Sequence, residues 1–199
     1  MNYPSFFESA IKITLQDPLA DILGASDQGL INYSYTDAVK LAGHSCPTVA
    51  GAYLMTIKAL KHLYGTEHPQ RGDISVAFRD DQLNGVTGVM ANVVSLITGA
   101  TVDTGFKGLA GQHDRRNLLS FNAPIAGDIQ FQRRDTGAKV TVSYNARIVP
   151  GDPTAMPLLQ RILAGTATTE ERGNFGEIWQ ERVRKILASA DHPELIVYS

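Results

Sequence analysis

The chain has almost nothing with which to cross-link itself. One cysteine, Cys46, in 199 residues excludes an internal disulfide framework and fits a reducing cytoplasm. No apolar run approaches the length of about eighteen residues that a bilayer span needs. There is no basic excess either: 18 Lys and Arg face 20 Asp and Glu, for a net charge of −2 and a pI near 6.2. That balance argues against a nucleic-acid or membrane-surface partner, each of which asks for a surplus of cations to meet phosphates. Internal repeats, low-complexity tracts and long charge blocks are missing as well. The opening residues, Met1-Asn2-Tyr3-Pro4-Ser5, lack the basic start and apolar run of a signal peptide, so a cytoplasmic location is expected. Gly-x-Ser-x-Gly, His-Glu-x-x-His and paired-cysteine patterns are absent, which removes the commonest hydrolase and zinc-finger readings.

What remains is ordinary globular material, 43% hydrophobic and 19% charged. Apolar spacing predicts a short amphipathic helix over Ser5 to Leu15 and a helical turn over Pro18 to Leu23, with Asp17 as its cap. Leu30 to Tyr33 reads as a short extended piece. Thr36 is placed to cap a helix that ends near Gly43. The clearest helix begins around Pro47, carries Val49, Tyr53, Leu54, Ile57, Leu60 and Leu63 on one stripe, and stops at Gly65. Asp73 to Arg79 alternates as a half-buried strand, and Gly85 to Thr98 is an uncharged helix closed by Gly99. Further strands are expected at Thr101–Val102, Asn117–Asn122, Asp128–Arg133 and Lys139–Arg147. The segment Pro150-Gly151-Asp152-Pro153 is the one strong linker signal. Helices over Ala155–Leu163 and Thr168–Ala190 follow, and Leu195 to Tyr198 is a candidate edge strand. The order implies an α+β layered domain over residues 1–150 and a helical extension over 151–199, packed on that domain or on a second subunit.

The stretch Gly43-His44-Ser45-Cys46-Pro47 is the most informative chemically. It sets an imidazole and the sole thiol two residues apart, at the start of the clearest helix. Backbone donors there favour a thiolate, and imidazole nitrogen with thiolate sulfur is a mixed ligand set for a divalent metal. A small buried side chain with no chemistry fits Cys46 equally well on residue physics alone. Asp80 and Asp81, which follow a strand end, are candidates for a metal ligand or general base, or a solvated turn. Asp81 is the catalytic candidate together with His113. The latter lies in the glycine-rich, cationic segment Gly105 to Arg116, where Lys107, Arg115 and Arg116 are candidates to hold a small anionic molecule. That segment lacks the spacing of a phosphate-binding P-loop.

Tyr35-Thr36-Asp37-Ala38-Val39-Lys40-Leu41-Ala42-Gly43-His44-Ser45-Cys46-Pro47, followed by Gly51-Ala52-Tyr53 and by Thr98-Gly99-Ala100-Thr101, resembles FmdE-like proteins, relatives of a component of formylmethanofuran dehydrogenase. The resemblance covers roughly residues 35 to 147. It implies an α-β-α-β-β-β layered fold like the catalytic domain of glyceraldehyde-3-phosphate dehydrogenase. It also implies a homodimer and a bound divalent transition metal, zinc first, held in part by His44 and Cys46; an iron centre such as haem is the alternative identity for that metal. This chain has Ala42 where members often carry a second histidine and has no second cysteine, so His113 or an aspartate is expected to complete the ligand set. Two functions follow: a metalloenzyme or oxidoreductase accessory acting on a small anion, or a non-catalytic metal-binding module that docks to a larger oxidoreductase. A metal-free cysteine nucleophile with His44 as base ranks last, because two residues on a bend are poor geometry for proton transfer.

Overall fold

Local chemistry decides most element boundaries in the computed structural model, which describes residues 3–199; Met1 and Asn2, part of the opening read for a signal peptide, lie outside the described residues. The single helix expected over Ser5 to Leu15 does not form. Instead α1 (Phe6–Ser9) is short, and β1 (Ile13–Gln16) pairs antiparallel with β2 (Leu30–Tyr33) in a two-stranded sheet. Ile13 and Thr14 are β-branched, and Ile13 and Leu15 are buried while Thr14 and Gln16 are half-buried, a period of two that suits a strand. Between the strands lies α2 (Pro18–Ile22), with Pro18 in its first turn and the Asp17 carboxylate accepting from the N–H groups of Leu19 and Ala20.

Helix α3 (Tyr35–Ala42) is capped at Ser34 rather than at the expected Thr36, which is buried inside the helix. The Asp37 carboxylate accepts from both the Ser34 N–H (2.9 Å) and the Ser34 hydroxyl (2.8 Å). Gly43 ends α3 in the left-handed region, φ 74°. Helix α4 (Pro47–Tyr64) is buried nearly all round, from Val49 through Leu60. It packs against α5 (Thr87–Thr98) and against the larger sheet.

That sheet has the order β4-β3-β5-β6-β7. Its strands are β3 (Ile74–Phe78), β4 (Leu119–Ser120), β5 (Ile129–Arg133), β6 (Lys139–Tyr144) and β7 (Ile196–Tyr198). Only β3 and β4 run parallel; the other neighbours are antiparallel. Thr101–Val102 is not a strand. Its backbone bonds to Arg115, Asn117 and Leu118 and so folds the intervening loop back on itself. Past the linker come α6 (Ala155–Leu163) and α7 (Thr169–Ala188), the latter opened by a Thr168–Glu171 capping box. Helix α7 lies against α4 as well as α6, and β7 adds the final edge strand beside β6, so the C-terminal segment contributes to the same core. Among the described residues no helix is long and apolar enough to cross a membrane.

Candidate functional site

The turn between α3 and α4 holds the imidazole and the thiol. Cys46 is extended and caps α4, its Sγ accepting the Val49 N–H at 3.4 Å. The thiol therefore stands where free amide donors concentrate positive potential, and it is half-buried. His44 is exposed, with Nδ1 2.9 Å from the Ala42 carbonyl. A carbonyl can only accept, so in the neutral ring Nδ1 is the nitrogen that carries the proton and Nε2 the one with the lone pair. Ser45, between them, is fixed from several sides. Its hydroxyl meets the Tyr35 hydroxyl at 2.9 Å. Its carbonyl accepts from Trp179 Nε1 and Gln180 Nε2 on α7, each at 3.1 Å. Tyr144 lies close by, its ring filling the space where a Cβ on Gly51 would stand. Burial pushes the Tyr144 phenol up to about 12, with Arg182 opposing the rise and Cys46 adding to it.

The remaining predicted ligands do not join this corner. Among the described residues no three His, Cys, Asp or Glu side chains come together in a metal-holding group. His113 therefore does not complete a set with His44 and Cys46. It sits at φ 60° beside a separate cavity of about 230 Å³ with Asp114, Arg115 and Arg134. Asp81 is an exposed turn residue that accepts from Asn122 Nδ2 (3.0 Å) and the Leu83 N–H (2.9 Å). Those two bonds, Asn122 first, hold its carboxyl below the usual range, the wrong direction for a base poised near neutrality. Arg116 is engaged by Asp114 at 2.7 Å, and Lys107 is exposed. Sequence distance misleads here: the loop that carries these groups folds onto the Thr101 backbone, not toward the α3–α4 turn.

Arg115 alone of the three cationic candidates is built into a site. It is 5% exposed and donates from Nη2 to Asp17 at 2.6 Å. Arg71 joins the same carboxylate through Nη1 at 3.0 Å and donates from Nη2 to the Leu96 carbonyl. Burial pushes the Asp17 carboxyl up, but the hydrogen bonds and charges of Arg115 and Arg71 outweigh it and leave it below its ordinary value. Arg115 packs where side chains on Gly72 (φ 86°) and Gly99 (φ 74°) would collide with its guanidinium. The glycine of Thr98-Gly99-Ala100-Thr101 thus leaves space for an arginine sixteen residues later as well as ending α5. Both arginines line a cavity of about 440 Å³, together with Leu41, Ser95, Thr101 and Phe106. Arg115 Nε and Nη1 and Arg71 Nε are buried with no hydrogen-bond partner among the described residues. Asp17 and Arg71 carry no functional signal in the sequence, where Asp17 reads as a helix cap. A cap that is also buried would announce a cationic partner, but burial is a tertiary fact.

A family model described as FmdE, Molybdenum formylmethanofuran dehydrogenase operon, matches residues 41–194. The match takes in the α3–α4 turn, the arginines of the cavity and the whole of α7. No curated protein matches the chain.

Proposed function

The chain belongs to the FmdE family, and we propose that it binds a small anionic molecule in the cavity lined by Arg71 and Arg115, in an accessory role to a larger oxidoreductase. The carrying observation is the charge count at that cavity: two guanidiniums meet one carboxylate, Asp17, and three of their N–H-bearing nitrogens have no partner among the described residues. An anion in the cavity would neutralise the remaining positive charge. The oxidoreductase part of the reading is supported by the family's description, which refers to a molybdenum formylmethanofuran dehydrogenase operon. A thermal-shift titration at low ionic strength tests the binding. Acetate or phosphate should raise the midpoint saturably beyond a sodium chloride control, and Arg71→Gln should weaken that response at least tenfold. No anion-specific rise in the folded wild-type chain would exclude the reading.

A second reading concerns the α3–α4 turn. The anchoring of His44 Nδ1 on the Ala42 carbonyl leaves Nε2 as a metal-ligating nitrogen, and Cys46 offers a sulfur at a helix start. These are two donors, and among the described residues one chain brings no third to them. The set does not fit a closed tetrahedral centre within one chain, so no chemical step is derived through a metal. A homodimer, in which a second copy supplies the missing donors, is the form this reading takes. Elemental analysis decides it: about one equivalent of zinc or iron per chain, lost in Cys46→Ala, supports it, and metal-free protein excludes it. For the fold, the packing of α4 and α5 on a sheet with antiparallel β3, β5 and β6 supports the likeness to the glyceraldehyde-3-phosphate dehydrogenase catalytic domain.

A further inference from the structure

Resting on the anion-binding reading, we infer that the ligand at the Arg71–Arg115 cavity is an organic monocarboxylate with an apolar body. Charge selects the valence. Arg71 and Arg115 carry two positive charges and Asp17 returns one, so the cluster is left with a single uncompensated positive charge. A monoanion balances it. A phosphate dianion would leave excess negative charge beside a buried carboxylate, which a low-dielectric site penalises.

The guanidinium donors that remain are few: Arg115 Nε and Nη1 and Arg71 Nε. The hydroxyls on the cavity wall are already committed: Ser95 Oγ donates to the Ala100 carbonyl at 2.7 Å, and Thr101 Oγ1 donates to the Arg115 carbonyl at 2.7 Å. Each hydroxyl has one hydrogen, so neither has a further one for the additional oxygens of a phosphate.

Apart from the exposed Asn92 amide and the Gly99 backbone, the rest of the wall is hydrocarbon. Leu19, Leu41, Leu96 and Phe106 line the same cavity. Leu41 is 48% exposed and Phe106 43% exposed, so large apolar surface stands open beside the cationic end. A ligand with a charged head and an apolar body would cover that surface and gain affinity with each methylene it buries.

The test is isothermal calorimetry on the full chain, at constant ionic strength, with acetate, octanoate and inorganic phosphate as probes. The inference predicts octanoate at least tenfold tighter than acetate, and phosphate weaker than acetate. Leu41→Ser and Phe106→Ser, at exposed positions that the fold tolerates, should each weaken octanoate at least fivefold and leave acetate within twofold. Octanoate no tighter than acetate, phosphate tighter than either, or octanoate binding indifferent to both variants would overturn the inference while the anion site stood. If none of the three binds to folded protein, the anion-binding reading falls with it.

Discussion

Asp17 shows how much one carboxylate does in this molecule. It caps α2 through the Leu19 and Ala20 N–H groups and accepts from Arg71 and Arg115, which arrive from positions 54 and 98 residues away. Asp17→Asn leaves the buried Arg115 and the half-buried Arg71 guanidiniums without a counter-charge, and it should cost about 3 kcal/mol in denaturant unfolding. The same group sets an acid limb. Its folded carboxyl lies below its unfolded value, so the stabilisation is complete above about pH 4 and drains as pH falls through the folded value. Thermal midpoints measured from pH 6 to pH 2 should fall in the wild type and run flatter in Asp17→Asn. The cap itself is legible in the sequence, because a cap is a local pattern. The arginine partners are not, because nothing in a linear spacing says which cation reaches across 98 residues. Arg115 stands out in the sequence, but for the loop it belongs to and beside the wrong companions, Lys107 and Arg116.

At the scale of elements, helices bounded by their own chemistry are readable and short segments are not. Pro47, Gly65, Gly99 and the Thr168–Glu171 pair all mark ends that the structure keeps. Ser5 to Leu15 fails because eleven residues contain both a helical turn and a strand, and β1 exists only through its pairing with β2. The α3–α4 turn is identifiable by its residue types, yet nothing in the sequence connects it to α7, the element that steadies it. Trp179 and Gln180 hold the Ser45 carbonyl between the histidine and the cysteine. Removing both donors in Trp179→Phe with Gln180→Ala should leave the fold intact and loosen the turn. The predicted readout is faster labelling of Cys46 by a thiol reagent, at least several-fold, under native conditions. An unchanged rate would show that α7 does not restrain the turn.

Across the whole molecule, buried tyrosines tie the layers together. Tyr53 donates to the Ile11 carbonyl at 2.7 Å with the Tyr33 carbonyl a longer, shared acceptor at 3.3 Å, Tyr35 meets Ser45, and Tyr35 and Tyr53 stack edge to face. Burial raises the phenols of Tyr35, Tyr53, Tyr64 and Tyr144, the last two to about 12. A folded value above the unfolded one near 10 gives stability that is complete below pH 10 and lost as pH rises beyond it. Thermal midpoints should therefore hold to about pH 10 and then fall. Tyr144→Phe should make that alkaline limb shallower at little cost near pH 7, since the Tyr144 hydroxyl has no hydrogen-bond partner among the described residues to lose. The α+β class and the succession of helices and strands can be read from periodicity, as can the closing edge strand. The order β4-β3-β5-β6-β7 cannot, because strand pairing is settled by packing on α4 and α5 rather than by any segment's own pattern.

Arginine side-chain NMR gives the most direct view of the anion site. In 15N-labelled protein titrated with acetate at fixed ionic strength, the Nε–H signals of Arg71 and Arg115, assigned through Arg→Lys variants, should shift saturably and together. The signals of Arg79, Arg161 and Arg184 on the surface should stay in place. Uniform small shifts across all arginines, or none at Arg71 and Arg115 in folded protein, would contradict an anion site in this cavity.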